Sequence, residues 1–346
     1  MRMTDWREFL PVRLTNVVSV CAIGTVRRMD PLADVLDLGR VRGVLLASVR
    51  AEAPWGLDLP PGMGAALHAV TAGTAWLRVD GQPPLQLMPG DVLLLPSGIG
   101  YRLSSAPDAH CRPFDRAMKE ELMTPAGDLT LPGPGAVTTF VCAGYDYDLD
   151  VAQQLMRLLP DVIHVPADAI AGRDIAALVE LLAAEVGTRS PGSRSAAARL
   201  IDLLLIAAIR RWNDSRGDDA PASWLIALRD PTIGSVLALM HERPGDTWTL
   251  TALASEVHVS RATLARRFTE AVGEPPLAYL ARWRMHLAAH HLKHSTDTVE
   301  SIARTVGYSS EYAFNRAFAR HSGQPPGRYR RQALRADGQS AQALHS

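Results

Sequence analysis

Apolar residues recur at helical spacing along the last third of the chain, and the same spacing occurs twice. The recurring positions are Leu250, Leu253, Ala254 and Val257 in the first stretch and Val299, Ile302, Ala303 and Val306 in the second. A tight turn follows each stretch, and a serine then stands at a helix N-cap position, Ser260 in the first and Ser309 or Ser310 in the second. The pattern predicts two units, each made of a short helix, a turn and a second helix.

An internal repeat supports this interpretation. The end of the first unit contains Phe268, Gly273, Pro275, Pro276 and Tyr279, which recur 50 residues later as Phe318, Gly323, Pro325, Pro326 and Tyr329. A match without a gap over this stretch indicates a duplicated supersecondary unit. The units differ at the turn, where His258 stands in the first and Gly307 in the second, so one turn is less tolerant of a left-handed backbone.

The second helix of each unit presents a polar face opposite its apolar one. The outward residues are Arg261, Arg266 and Arg267 in the first unit and Glu311, Tyr312, Asn315, Arg316 and Arg320 in the second. Such a helix pair with exposed arginines is the arrangement that reads DNA, although any small helical bundle contains helix pairs. A connecting helix from Leu277 to His294 would span about 27 Å. One protomer is then expected to reach two successive major grooves, about 34 Å apart.

Three segments of this region carry a family resemblance. They are Gly273–Met285, Ile302–Phe318 and Gly323–Arg330, and they strongly resemble the AraC/XylS family of bacterial transcription regulators. The resemblance implies a DNA-binding domain of seven helices that activates or represses promoters, with RNA polymerase as a partner. It adds Ala262 and Ala265 to the outward positions of the first reading helix. Since alanine can at most touch a thymine methyl group, Arg266 is expected to carry most of that unit's base recognition.

The pattern between Gly43 and Val141 is different, with short β-prone segments separated by Gly, Pro and Asp turns. The predicted strands are Val44–Val49, Ala66–Val70, Thr74–Val79, Leu85–Leu87, Asp91–Leu95 and Thr138–Cys142, with a hairpin at Val79–Gln82. Regular short strands predict a barrel or jelly roll. Gly62 with His68, and Gly90 with Pro96, Gly98 and Tyr101, resemble the two cupin motifs. That resemblance implies the ligand-sensing domain that precedes AraC-type DNA-binding domains.

The departures from the cupin pattern argue against a metal enzyme. Of the three His and one Glu that a metal-binding cupin needs, His68 remains, while Val70 and Tyr101 replace two of the histidines. One imidazole cannot hold a divalent ion that requires four or more ligands. We therefore predict no metal, no cofactor and no catalytic residue, and we expect a small-molecule effector bound by His68 and Tyr101 with Trp76 as a wall. The alternative is that all three side chains serve only packing.

The chain from Val151 onwards is predicted to be helical. Helices are expected at Gln153–Leu159, Asp174–Val186 and Ser193–Trp212, and the last is apolar on nearly every face. Because a helix that is apolar all round is buried, we expect a homodimer through residues 174–212, with Leu204 and Leu205 at the interface. The alternative is a helix enclosed within one chain.

These patterns predict an α+β protein with two domains. The divisions are an N-terminal extension at 1–28, a cupin-like barrel at 29–150, a helical dimerisation segment at 151–213, a linker at 214–223, a DNA-binding domain at 224–332 and a disordered tail at 333–346. Asp30 and Pro31 look like a natural beginning, as an N-cap followed by proline at the first helical position. The sequence leaves open whether the extension is a mobile arm.

Composition narrows the class of protein. The 346 residues are 47% hydrophobic and 21% charged with a net charge of zero, but residues 232–332 carry 13 basic and 8 acidic residues, which suits contact with phosphates. An odd count of cysteines, Cys21, Cys111 and Cys142, without a CxxC pair fits a reducing cytoplasm. No apolar run is long enough for a membrane span. Two alternatives to a small-molecule sensor remain. His110, Cys111 and Cys142 could form a redox or metal sensor with His68, with Arg112 as the positive neighbour that activates Cys111. The other alternative is a cupin enzyme with a helical appendage.

Overall fold

The computed structural model describes residues 30–62, 64–147, 156, 159–167, 173–188, 190–215 and 222–343. The predicted extension at 1–28, most of the helix predicted at 153–159 and most of the linker lie outside these residues. Helix α1 (Pro31–Leu38) opens the described chain. The Asp30 carboxylate accepts hydrogen bonds from the amides of Leu32 and Ala33, and Pro31 occupies the first turn, so this predicted helix start is confirmed.

The N-terminal domain consists of short strands that follow α1. They are β1 (Arg42–Glu52), β2 (Gly56–Leu59), β3 (Ala66–Ala72), β4 (Ala75–Arg78), β5 (Leu85–Leu87), β6 (Val92–Leu95), β7 (Tyr101–Ser104), β8 (Arg112–Pro113), β9 (Asp128–Leu131), β10 (Val137–Asp146) and β11 (Ile163–Val165). One helix, α2 (Arg116–Leu122), lies between β8 and β9. Each of the six predicted strands has a counterpart, and the hairpin between β4 and β5 forms as expected.

The strands form two sheets that enclose a core. One sheet has the order β11-β6-β3-β10-β1-β9 and the other β5-β4-β7-β2-β8. Apolar side chains from both sheets, including Val49, Leu57, Leu103 and Phe140, pack together between them. The described strands therefore form two facing sheets. A barrel and a jelly roll were the two predicted forms, and the described strands do not form a closed barrel. Strands β2, β7, β8, β9 and β11 escaped prediction because they are short and carry Asp, Arg or His among few apolar residues.

Two long helices cover the outer face of the first sheet. They are α3 (Arg173–Thr188) and α4 (Ser193–Ser215). Leu204 and Leu205 are buried within the chain, so their predicted place at a dimer interface is wrong. The turn of α4 directs both of them towards the sheet and α3. The exposed leucines on this layer are instead Leu181 on α3 and Leu203 on α4.

The C-terminal domain is helical throughout. Its helices are α5 (Trp224–Ala227), α6 (Pro231–Glu242), α7 (Leu250–Glu256), α8 (Arg261–Val272), α9 (Pro276–His294), α10 (Val299–Thr305), α11 (Glu311–Ser322) and α12 (Pro326–Ala343). Helix α12 extends into the predicted tail as far as Ala343. Alanine, arginine and glutamine in this segment are good helix formers, and that propensity outweighs the polar composition.

The duplicated units have matching caps at both ends. Ser260 and Ser310 each accept the amide hydrogen three residues later, and Gly273 and Gly323 end α8 and α11 in the left-handed conformation. The first helices of the two units are capped by Thr249 and Thr298, which are 49 residues apart, whereas the serines are 50 apart. The second unit therefore has one more residue in its turn.

The two domains share a buried contact through α1. The Asp34 carboxylate lies 3.2 Å from Nδ1 of His241 on α6, and Nε2 of His241 lies 2.8 Å from the hydroxyl of Tyr279 on α9. The His241 ring stacks on Trp283 at 3.9 Å. The carbonyl of Leu38 also lies 3.1 Å from Nδ1 of His290 on α9. Helix α1 of the N-terminal domain is thus held against α6 and α9 of the C-terminal domain.

Within the described residues, no helix combines the length and the apolar character that crossing a bilayer would require.

Candidate nucleic-acid interface and ligand cavity

Helix α8 buries one face and leaves the other open. Leu264 and Phe268 are fully buried against the neighbouring helices, while Arg261, Ala262 and Arg266 are exposed. Nη1 of Arg266 lies 3.0 and 2.9 Å from the two carboxylate oxygens of Glu270, one turn further along the same face. An exposed pair of this kind is worth little in water, so the guanidinium remains available to another acceptor.

Two predicted contacts of α8 have different surroundings. The guanidinium of Arg267 lies 2.7 Å from the Asp230 carboxylate, which caps α6 through the amides of Thr232 and Ile233. Burial disfavours the Asp230 carboxylate, but these amide hydrogen bonds and Arg267 outweigh it and lower its pKa. Arg267 therefore joins α8 to the start of α6 and does not belong to the exposed face. Ala265 is half-buried, so its contact surface is smaller than that of Ala262.

Helix α11 has a more polar open face. Phe314 and Phe318 are fully buried, whereas Tyr312 is 71% exposed and the Arg316 guanidinium lies over its ring at 5.9 Å. Nδ2 of Asn315 is 3.5 Å from a carboxylate oxygen of Glu311. The exposed positions Glu311, Tyr312, Arg316 and Arg320, with half-buried Asn315, offer hydrogen-bond donors and acceptors along one side of the helix. Arginine and asparagine are the side chains that make paired hydrogen bonds to guanine and adenine edges.

A cavity of about 300 Å³ opens between the two sheets of the N-terminal domain. His68, Tyr101, Phe140 and Cys142 line it together with alanines and leucines of both sheets. The structure thus brings together two of the three predicted ligand contacts. Trp76 does not line this cavity, because Ala75 and Leu77 on either side of it point to the core and the alternation of the strand turns Trp76 away.

His68 connects the two sheets through the cavity wall. It lies opposite Cys142 in the pairing of β3 with β10, and its Nδ1 is 3.1 Å from the Cys142 sulfur. Its Nε2 is 2.6 Å from the hydroxyl of Tyr101 on the other sheet. Burial lowers the pKa of His68 to about 4, raises that of the Cys142 thiol to about 12 and raises that of Tyr101. All three groups are therefore uncharged at neutral pH.

The structure places Cys111 next to a different arginine from the one predicted. Nη2 of Arg78 lies 2.9 Å from the Cys111 sulfur and 2.8 Å from the carbonyl oxygen of Ala109. Arg112, the predicted activator of Cys111, pairs with Glu121. Arg78 and Cys111 are brought together by the folding of separate strands, and no local pattern in the sequence indicates this contact. Among the described residues, no group of three or more histidine, cysteine, aspartate or glutamate residues is placed to hold a metal ion.

Comparison with known proteins decides the family. Residues 30–214 match a family model described as Cupin, and residues 253–332 match one described as Helix-turn-helix domain. A putative AraC-like transcription regulator of Streptomyces lividans is 34% identical over 88% of this chain and 98% of its own length.

The chain belongs to the AraC-like transcription regulators.

Other members and solved structures are similar to it. A putative AraC-like transcription regulator of Streptomyces antibioticus is 33% identical over 88% of this chain and 100% of its own length. The DNA-binding domain of AdpA, solved in complex with a target DNA, is 31% identical, with a TM-score of 0.29, and the match covers 31% of this chain and 95% of that one. The predictions of an AraC-family regulator, of a cupin-like N-terminal domain and of an α+β fold with a helical C-terminal domain are confirmed. Its relatives are regulators of transcription, a role other than enzymatic catalysis.

Proposed function

We propose that this AraC-like regulator reads specific promoter DNA through the open faces of α8 and α11 and responds to a small molecule bound between its two sheets. It acts in the cytoplasm, as a homodimer, and influences RNA polymerase at the promoter. The observation that best supports DNA reading is the duplication of the helix-turn-helix unit. Two helices with equivalent caps and equivalent buried phenylalanines, Phe268 and Phe318, each leave an arginine exposed at the equivalent position.

The proposal for the effector rests on the composition of the cavity wall. Pockets for small molecules are mostly apolar, with a few polar groups that fix the orientation of the ligand. The wall here has that composition, with His68, Tyr101 and Cys142 as a connected polar group among alanines, leucines and Phe140.

Strand β10 offers a route from the cavity to the helical layer. It carries Cys142 at the cavity and, three residues later, Tyr145, whose hydroxyl donates a hydrogen bond to the carbonyl of Ile201 on α4 at 3.1 Å. The contact of α1 with α6 and α9 then continues to the DNA-binding domain. A ligand that moves β10 or α1 would change how α8 and α11 are presented, because packed elements shift as bodies and deform little.

The dimer is proposed to form through the outer side of α3 and α4. Leu181 is 56% exposed and Leu203 is 49% exposed, and half-buried Leu200 and Ala207 extend the apolar surface along α4. Exposed leucines on neighbouring helices are typical of a surface that a second chain covers.

A matched pair of substitutions tests the effector. Cys142→Phe fills the cavity, whereas Cys142→Ala leaves it open, and both remove the thiol. The full chain is purified, and any small molecule released on denaturation is identified by mass spectrometry. We expect the same molecule from the wild type and Cys142→Ala, and none from Cys142→Phe. Recovery of that molecule from folded Cys142→Phe, or its absence from the wild type, would contradict binding in this cavity.

A redox response is the second candidate, favoured by the contact between Arg78 and Cys111. A cysteine beside a positive charge in a partly exposed position is the setting in which oxidants react with thiols. If oxidation of Cys111 is the signal, hydrogen peroxide changes the DNA affinity of the wild type and of Cys142→Ser, and leaves that of Cys111→Ser unchanged. An equal response from all three proteins would exclude this candidate.

A further inference from the structure

The cavity between the sheets has two polar positions of different character. Its inner wall carries the connected group of His68, Tyr101 and Cys142, and α2 contributes the exposed Lys119. Among the described residues that line the cavity, all others are apolar, and no carboxylate is present. The cavity therefore has a neutral interior and a single positive charge at its opening.

The inner polar group has no charge to offer to a ligand. Its members satisfy one another, since the imidazole bridges the hydroxyl and the thiol at 2.6 and 3.1 Å. An ionised group placed there would lose its hydration without gaining an opposite charge, which is costly in a buried site. The end of the ligand that enters the cavity is therefore apolar or neutral.

The opening does carry a charge, because the charge of Lys119 is not neutralised by its neighbours on α2. Glu120 pairs with Arg116 at 2.7 Å and Glu121 with Arg112 at 3.1 Å. Within the part of the chain that the structure describes, no acidic group lies within ion-pair distance of Lys119. An ammonium group at the rim of an apolar cavity is arranged to receive an anion.

We infer that the effector is an amphipathic organic monoanion, whose apolar body fills the cavity and whose acidic head group pairs with Lys119. This inference rests on the proposed binding of an effector in this cavity. The volume sets the size, since about 300 Å³ at about 30 Å³ for each heavy atom, the value for liquid water, holds on the order of ten heavy atoms. A carboxylate with a short hydrocarbon body fits both the charge and the volume.

Three probes of equal chain length test this class by isothermal titration of the full chain: octanoate, octan-1-ol and octylammonium. We expect octanoate to bind more tightly than the alcohol and octylammonium to bind least. Lys119→Met keeps most of the stem and removes the charge. It should weaken octanoate binding about 1.5- to fivefold, the range for one exposed ion pair, and leave octan-1-ol binding unchanged.

The only other lysine of the sequence supplies the control, because Lys293→Met makes the same chemical change in the DNA-binding domain. This variant should bind octanoate as the wild type does. The lysines also allow a direct observation: after reductive methylation with a ¹³C label, octanoate should shift the NMR signal of Lys119 and leave that of Lys293 in place.

The outcomes distinguish a failure of the inferred ligand class from a failure of the proposed effector site. If octan-1-ol binds as tightly as octanoate and Lys119→Met changes neither, the inferred charge is wrong and the cavity is a site for neutral ligands. If the wild type binds none of the three probes, the inferred class is wrong. If, in addition, the wild type yields no copurifying molecule that Cys142→Phe lacks, the proposed effector site is wrong as well.

Discussion

The same substitution can be made at the equivalent turn of each duplicated unit, and the two effects can be compared. His258 and Gly307 both adopt the left-handed conformation, with φ of 57° and 82°. Their surroundings differ, because the His258 side chain is exposed while a Cβ atom at Gly307 would lie 2.7 Å from Nη2 of Arg284 and 2.8 Å from the carbonyl oxygen of Gly245. Alanine at these two positions should therefore have very different consequences for stability.

The magnitudes follow from these contacts. A residue with a Cβ atom costs about 1–2 kcal/mol in the left-handed region, and His258 already carries that strain, so His258→Ala should change the free energy of unfolding by about 0.5 kcal/mol or less. Gly307→Ala adds the strain and also displaces Arg284, which donates to the carbonyls of Pro244 and Asp246 at 2.6 Å each. Each hydrogen bond from a charged group contributes about 1.5–3 kcal/mol. With the strain and the loss of one of these two hydrogen bonds, the expected loss is about 2.5–5 kcal/mol.

Hydrogen–deuterium exchange of the full chain measures both variants by region. Gly307→Ala should speed exchange in α10 and α11 and leave α7 and α8 close to the wild type, whereas His258→Ala should alter little in either unit. Gly307→Asn separates the two causes, because asparagine tolerates positive φ but has the same Cβ atom. If His258→Ala and Gly307→Ala destabilise their units equally, the different surroundings of the two turns do not determine the cost of the substitution.

Three further predictions follow from the same structure. Arg267→Ala should lower the free energy of unfolding by about 1 kcal/mol in urea denaturation and leave the preferred DNA sequence unchanged. Arg266→Ala should change the preferred DNA sequence and leave the free energy of unfolding unchanged. The same phenotype from both variants would contradict these assignments. The lowered pKa of His68 means that its stabilising contribution is complete above pH 6.5 and declines as the pH falls towards 4. Between pH 6.5 and 5, the wild type should lose about 1.5 kcal/mol more unfolding free energy than His68→Phe, and equal pH profiles would refute this. Leu181→Lys combined with Leu203→Lys should give a folded monomer in light scattering, and a persisting dimer would place the interface elsewhere.

Much of the DNA-binding domain was predictable because its signals are local. Helical spacing, serine caps and the repeated Gly-x-Pro-Pro segment are each set within a few residues, and their repetition removes ambiguity. The burial of Phe268 and Phe318, which belong to the repeat, was also predictable from the helical spacing. The role of Arg267 was not, because its partner Asp230 lies 37 residues away on another helix.

The N-terminal domain was less predictable because its contacts join distant strands. His68 and Tyr101 were identified from motif positions, but Cys142 joins them only through the register of β3 with β10. Lys119 lies on a short helix with no distinctive pattern, so its place at the cavity becomes visible only in the folded chain. The position of Leu204 and Leu205 was also not predictable, because an apolar helix is expected to be buried but its sequence does not show which surface covers it.

The proposed function depends above all on base reading by α8 and α11. Its most direct test is selection of binding sites from a randomised duplex library, followed by fluorescence anisotropy over a range of salt concentrations with the wild type and Arg316→Ala. We expect Arg316→Ala to lose about 1–3 kcal/mol of binding free energy on the selected site, to relax the preference at one base and to keep the salt dependence. Equal weakening of all sequences by Arg316→Ala, with a shallower salt slope, would show that Arg316 contacts only phosphate and does not read a base.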